Sequence, residues 1–407
     1  MKPFIKNLLF LSAGLSVLMA GGCDFPYTPR RQAYPGADTT RIDTGAIGSG
    51  YLYPVNPGIQ ACNPSISQSD VFPACMLWLG FDALSVKVPD TMTGFDAVVT
   101  QHDRLTIVDT GNTVRWYFMR SAIDTRGAMQ CPEWSTHPDY LACLIGASTQ
   151  PYSGYAIRLS DKQFLKICER RLEEFSTPHF WVPDSVTSTE TVAAPTFDTN
   201  GFIKKEHIQQ FFGTTRFRFV YTLPAKTGTL YYLDYSGTDE PTPVPLAKPA
   251  EKKSWYCSSP LISPDGNWVA YHCFVNSNNG GFYASYIQRL QPGSKAVLIA
   301  DAASDPHWWV DPFTREYYIV YAVTTGDYFT EYDFSDPVIE ATGVAGSTKK
   351  QHLKGSWMDG PEHMGGLFPD KDNAPYTLVR LPFKGGMSRD GYFLSTAYKL
   401  AYMMRLK

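Results

Sequence analysis

Two segments repeat a histidine beside tryptophan: Pro178-His179-Phe180-Trp181-Val182 and Pro306-His307-Trp308-Trp309-Val310. An imidazole carries protons near neutral pH or ligates a metal, and an indole face stacks on flat or cationic groups. His179, Trp181, His307 and Trp309 are therefore the first binding candidates. A third stretch, Trp357-Met358-Asp359-Gly360-Pro361-Glu362-His363-Met364-Gly365-Gly366, is irregular, aromatic and acidic, and adds Trp357 and His363 as loop candidates. The same residue types also serve architecture: a histidine at equivalent positions of a repeat bonds to neighbouring backbone and packs one unit on the next. No G-x-S-x-G elbow, H-E-x-x-H, H-x-H or EF-hand pattern occurs, and no Gly-rich strand-turn-helix for phosphates. No metal site and no cofactor are expected.

Positioning such residues needs a scaffold, and the composition indicates its class. The chain has 407 residues, of which 43% are hydrophobic and 14% aromatic, with 32 Gly and 30 Pro, a balance that favours many short strands joined by tight turns. An all-β fold is expected. Lys plus Arg number 36 against 39 Asp plus Glu, a formal charge of -3, which leaves no basic excess for a phosphate backbone. Nucleic acid is not an expected partner.

Internal repetition is the strongest signal. Ser135, in Pro-Glu-Trp-Ser-Thr-His-Pro-Asp, and Ser263, in Pro-Leu-Ile-Ser-Pro-Asp-Gly, lie 128 residues apart (263 − 135), and Pro178 and Pro306 share that spacing (306 − 178). A further copy, Gly386-Met387-Ser388-Arg389-Asp390-Gly391, follows. Strand-like runs come after each motif, among them Trp268-Val269-Ala270-Tyr271 and Tyr286-Ile287-Gln288-Arg289-Leu290. Strand, turn and strand at roughly 40-residue spacing is the pattern of β-propeller blades.

The stretch Ser263-Pro264-Asp265-Gly266-Asn267-Trp268-Val269-Ala270-Tyr271 resembles the repeat of TolB-like, WD40-like propellers. Pro264 presets φ, Asp265 accepts backbone hydrogen bonds and Gly266 permits positive φ, so Asp139, Asp265 and Asp390 read as turn formers. The resemblance implies six blades over residues 51–407, with five and seven as alternatives, and residues 51–125 form one irregular blade. An N-terminal strand is expected to complete the last blade and remove its open edge. Between Pro183 and Thr215, the apolar spacing of Ile203, Ile208, Phe211 and Phe212 predicts a short helix, of the kind that covers a channel mouth. No hydrolase domain of the prolyl-oligopeptidase-like kind is expected beside the blades.

Residues 1–22 read as an export signal: Lys2 and Lys6 precede an uncharged, mostly apolar run from Leu8 to Ala20, too short to span a bilayer as a helix. The run ends in Ala20-Gly21-Gly22-Cys23, which resembles a bacterial lipobox, with Ala20 in place of the commoner Leu. That resemblance implies acylation of Cys23, attachment to a cell-envelope membrane, inner or outer, and a Gly- and Thr-rich tether over residues 23–50. An exported chain oxidises its cysteines. Cys131 with Cys143, and Cys257 with Cys273, each enclose a copy of the repeat motif, which suggests two disulfides within blades. Cys62 with Cys75 is a third pair, and Cys168 is left over.

Two functions follow as expectations. The TolB-like resemblance implies a binding or scaffold module for envelope protein partners. The alternative is glycan binding or hydrolysis of plant-type polysaccharide: Asp305-Pro306-His307, the following Tyr317 to Tyr321 and later Asp359-Gly360-Pro361-Glu362 loosely resemble five-bladed glycoside hydrolases. In them an aspartate base and a glutamate acid flank the glycosidic bond, which would assign those roles to Asp305 and Glu362. Inversion requires the two carboxyls to stand about 6.5–9.5 Å apart.

Overall fold

The structure is a computed structural model. It describes residues 46–47, 50–55, 62–67, 69, 71–72, 75–79, 86–95, 102–109, 111–124, 127–147, 150–169, 176–223, 228–249, 257–277, 280–300, 303–310, 317–323, 339–343, 350–352, 386–387, 392–397 and 400–406.

These residues form six antiparallel sheets. The first described strands are β1 (Ala46–Ile47) and β2 (Gly50–Val55). Blade I comprises β3 (Cys62–Ile66), β4 (Met76–Leu79), β5 (Arg104–Val108) and β6 (Val114–Met119). Blade II comprises β7 (Ala128–Trp134), β8 (Tyr140–Ala147), β9 (Gln150–Arg158) and β10 (Phe164–Glu169). Blade III comprises β11 (Ser176–Trp181), β12 (Arg218–Leu223), β13 (Thr229–Asp234) and β14 (Val244–Pro245), and blade IV β15 (Cys257–Ile262), β16 (Trp268–Ser277), β17 (Gly280–Arg289) and β18 (Val297–Ala300). Blade V comprises β19 (Ala303–Val310), β20 (Tyr317–Val323), β21 (Ile339–Gly343) and β22 (Lys350–His352), and blade VI β23 (Gly386–Met387), β24 (Tyr392–Ala397) and β25 (Leu400–Leu406). The first strands of successive blades touch in turn around a closed circle, β3 to β7, β11, β15, β19, β23 and back to β3. The fold is a six-bladed β-propeller with those strands innermost. β2 pairs antiparallel with β25, from Gly50 opposite Leu406 to Val55 opposite Ala401, so the N-terminal strand completes blade VI as expected. Among the described residues the strands begin at Ala46, so Ala46, Ile47 and Gly50, assigned to the tether, belong to the sheet.

The period-2 alternation of strands builds the core between blades. On β8, Leu141, Cys143 and Ile145 pack toward Leu77, Leu79 and Leu105 of blade I. The alternating Tyr140, Ala142 and Leu144 pack toward Phe180, Phe219 and Tyr221 of blade III. One strand thus cements two seams.

The insertion after β11 contains α1 (Lys205–Phe212), whose buried Ile208, Phe211 and Phe212 form one apolar stripe and whose Gly213 ends it at φ 73°. Ile203 lies just before the helix. Arg158, wholly buried, holds the insertion through its guanidinium: it donates to the carbonyls of Phe211 and Glu190, each at 3.1 Å, and pairs with Asp161 at 2.7 Å. Rather than roofing the channel, the insertion runs outward along blade II to its rim. The Ile203 N–H donates to Ile167 O at 2.9 Å and the Glu169 N–H to Gly201 O at 2.7 Å, adding backbone pairing to the outer strand β10.

Of the cysteine expectations, one pairing is present: Cys257 and Cys273 face each other in the β15–β16 ladder and are disulfide-bonded. Cys143 is instead a buried thiol, and the Cys131–Cys143 bridge is not formed. The reason is register. The repeat period of 128 makes Cys131 the counterpart of Ser259, not of Cys257 (259 − 131), and both residues sit in a bulge at positive φ, 46° and 51°. The Cys62–Cys75 bridge is excluded by the ladder. Cys62 opposes Leu79, while the Ser67 N–H bonds to Cys75 O farther along the same strand pair. Four residues of offset amount to about 13 Å of strand, beyond the reach of a disulfide.

Candidate axial site

Five innermost strands carry the same irregularity, a register shift between Cys62 and Ser65, Gln130 and Glu133, Ser176 and His179, Ser258 and Leu261, and Ser304 and His307. A bulge bends a strand and re-aims the residue that follows it. The residues following the five bulges are Ser65, Glu133, His179, Leu261 and His307, one per blade at one level of the ring.

His179 has both ring nitrogens engaged. Nδ1 accepts the Ile262 N–H at 3.0 Å, which leaves the proton on Nε2, and Nε2 donates to Trp134 O at 2.9 Å. The side chain, 3% exposed, links blades II, III and IV. This is the architectural use of the repeated histidine. Its counterpart His307 behaves differently: His307 Nε2 lies 3.9 Å from Glu133 Oε2. Blades II and V are opposite one another in the ring of six, so this contact crosses the axis. Glu133 Oε1 accepts the hydroxyl of Ser65 from blade I and its neighbour's Trp134 N–H at 3.2 Å. Ser65, Glu133 and His307 thus meet at the centre of the channel.

The neighbouring indoles lock the same level. Trp134 Nε1 donates to Ser65 O at 3.2 Å, and Trp308 Nε1 to Leu261 O at 2.7 Å, each reaching the carbonyl of the preceding blade's axial residue. Trp181, a binding candidate, is 7% exposed; its Nε1 donates to Pro264 O at 2.8 Å and its ring lies against Gly266. It fills a seam and offers no face to a ligand. Only the backbone of Trp309 is described, opposite Tyr318. Asp305 falls within the β19 bulge, two positions before His307. Trp357, Glu362, His363, Asp390 and Cys23 lie outside the described residues.

The order of contacts limits the chemistry. A serine nucleophile needs its hydroxyl on a base imidazole. Ser65 instead gives its proton to the carboxylate, and the imidazole lies on the far side of that carboxylate. The arrangement is a held carboxylate, not an activated hydroxyl. A separate hydroxyl–imidazole contact, Ser258 Oγ to His272 Nε2 at 2.7 Å, is a cross-strand pair beside the disulfide. Among the described residues no group of three or more His, Cys, Asp or Glu side chains is placed to hold a metal.

Sequence reading missed Glu133 and Ser65. Glu133 was visible only as part of Pro-Glu-Trp-Ser, and the missing signal was the alignment of bulges, which puts it level with His307.

No protein-family model matches the chain, and no curated protein matches it. Among solved structures, it is similar to TolB from Acinetobacter baumannii, with 11% identity over 74% of this chain and 59% of that one and a TM-score of 0.36. It is similar to a prolyl endopeptidase, with 12% identity over 83% of this chain and 37% of that one at a TM-score of 0.32. It is also similar to Sqt1 from Chaetomium thermophilum, with 12% identity over 86% of this chain and 72% of that one, again at 0.32. The chain thus spans less than two thirds of the first two. The class, a six-bladed β-propeller, rests on the sheets themselves.

Proposed function

We propose that the chain is a lipid-anchored protein of the bacterial cell envelope whose propeller is a rigid binding module for protein partners. The observation that supports this reading most directly is the use made of the described candidates. His179 and Trp181 join blades, as do Trp134 and Trp308 beside them, and Ser65 is bonded to a carboxylate instead of a base. The reading leaves recognition to the axis and the blade faces, and attachment to Cys23. Two measurements test it. Labelling of the expressed protein with an alkyne fatty acid should depend on Cys23, and Cys23→Ala should release the propeller from membranes. A pull-down from detergent-solubilised envelope should recover a stoichiometric protein partner; recovery of none would count against the binding-module reading.

The glycan reading retains one supporting observation: Asp305 lies in the bulge of an innermost strand, directly upstream of His307. If it holds, Asp305→Ala and Glu362→Ala abolish sugar release from arabinoxylan-type polymers with little change in thermal stability. Absence of turnover and binding on a glycan panel eliminates it.

A further inference from the structure

Arg115, Arg120, Arg158 and Arg218 each lie against an aspartate. Arg216 and Arg289 differ: both are exposed, and among the described residues neither meets a carboxylate. What each meets is an indole. The Arg216 guanidinium carbon stands 5.8 Å from the centre of a Trp181 ring, and that of Arg289 stands 4.6 Å from a Trp268 ring. An indole holds a guanidinium by its face, which leaves the N–H donors around the edge of the cation to be used elsewhere.

The two arginines stand at one end of neighbouring blades. Trp181 ends β11 and Arg216 comes just before β12 in blade III, while Trp268 opens β16 opposite Arg289 at the close of β17 in blade IV. The turn from β15 to β16 joins the two pairs: Pro264 O accepts the Trp181 indole N–H at 2.8 Å, and Asn267 O accepts the Leu290 N–H at 2.9 Å. Lys295, also exposed, adds a positive charge from the turn after β17, whose Ser294 hydroxyl donates to Arg289 O at 2.7 Å. The carboxylates bonded into this seam are spent locally. Asp234 accepts from Arg218 and Ser236, and Asp265 from Ser263 and Asn267 within its own turn. Positive charge is therefore left over here, although the whole chain has a formal charge of -3.

We propose that this end of the seam between blades III and IV docks an acidic segment of a protein partner, whose Asp or Glu carboxylates take the edge donors of Arg216 and Arg289. A carboxylate matches the fork of a guanidinium in two parallel bonds at about 2.8 Å, and the cation keeps its charge at every working pH. A nucleic-acid backbone needs a longer positive track than Arg216, Arg289 and Lys295 supply. The proposal rests on the binding-module reading and names the chemistry that the partner presents.

The test uses a fluorescently labelled Glu-Ser repeat peptide as the probe and its Gln-Ser counterpart as the control. At low ionic strength the purified propeller should bind the first and not the second, read by anisotropy, and added salt should weaken the complex. Arg216→Gln and Arg289→Gln should each weaken binding by about threefold to tenfold, and the double variant should abolish it. Arg289→Lys keeps the charge and loses the fork, so it should restore only part of the affinity. Arg115→Gln removes the same charge from blade I and should leave binding unchanged, a contrast that general charge attraction does not produce. Equal binding of the two peptides, equal losses in Arg115→Gln and Arg289→Gln, or an unaffected double variant overturns the proposal. Tighter binding of polygalacturonate, a carboxylate-bearing glycan, than of the Glu-Ser peptide also overturns it. A pull-down that recovers no partner counts against the broader reading alone, whereas failure of the peptide titration removes only this docking surface.

Discussion

Gly266 lies flat against the indole of Trp181, so close that a β-carbon on it would stand 2.5 Å from the ring. The glycine belongs to the turn from β15 to β16 and the tryptophan to β11, so the contact joins blades IV and III. At φ 75° the backbone also adopts a conformation that side chains resist. Arg218 completes the junction, bonding to Gly266 O while its Nε meets Asp234 at 2.9 Å.

Gly266→Ala should therefore cost about 2–4 kcal/mol, because clash and positive φ act together in a buried seam. Urea unfolding measures this. A loss below about 0.5 kcal/mol, the usual size for a surface change, would contradict the packing.

His179→Ala leaves the Ile262 N–H and Trp134 O without their partner in a buried seam, so it should destabilise by about 2–4 kcal/mol. His179→Gln, which keeps a donor and an acceptor, should recover part of the loss. If both variants unfold at the wild-type denaturant midpoint, the histidine does not link the blades.

Arg158 and Asp161 predict an acid-dependent term. Burial pushes the Asp161 carboxyl upward, but bonds from the Arg158 guanidinium and the Gln163 backbone outweigh it and hold the group below its usual range. A depressed carboxyl stabilises the fold fully above its unfolded value of about 3.9 and loses that contribution as pH falls through the folded value. Asp161→Asn should lower the unfolding midpoint at neutral pH, and the gap to wild type should close as pH falls through the depressed folded value. A gap that persists in acid would assign the effect to packing alone.

Reducing Cys257–Cys273, which spans 16 residues, should cost about 3 kcal/mol. Cys143 is wholly buried among blade I and II side chains, and burial raises its thiol far above the ordinary range. It should react with a thiol reagent only after unfolding. Rapid labelling of Cys143 in the native protein would show the seam to be open.

Deleting residues 46–55 removes β1 and β2 and bares the edge of β25. Exposed edges template pairing with other chains. The truncated protein should self-associate in light scattering where the intact chain stays dispersed; a dispersed, equally stable truncation would show that β2 is dispensable to the ring.

Much of the architecture was legible because its determinants act locally. Within Ser263 to Trp268, Ser263 Oγ accepts the Trp268 N–H, Asp265 accepts the Asn267 N–H and Gly266 supplies the positive φ, all inside six residues. Asp139 holds a turn differently, capping the Ser160 N–H and hydroxyl of the next hairpin. The helix was marked by the spacing of Ile208, Phe211 and Phe212, while Ile203, counted with them, belongs to the pairing with β10 instead. What eluded sequence reasoning depended on register between distant strands. Two similar cysteine pairs suggested two similar bridges, yet a two-residue offset from the repeat period left Cys131 in a bulge. Glu133 gains its role from Ser65 and His307, which no local motif connects to it.

Pairing of Gly50–Val55 with Leu400–Leu406 also imposes an order of events. Of all the described ladders this one joins the most distant segments, so the chain entropy lost in bringing them together is the greatest. The five intervening sheets are able to collapse on their neighbours as they form, but the circle stays an open arc until β25 arrives to pair with β2. Emergence of Leu400–Leu406, not the start of folding, is the moment at which the ring is able to close.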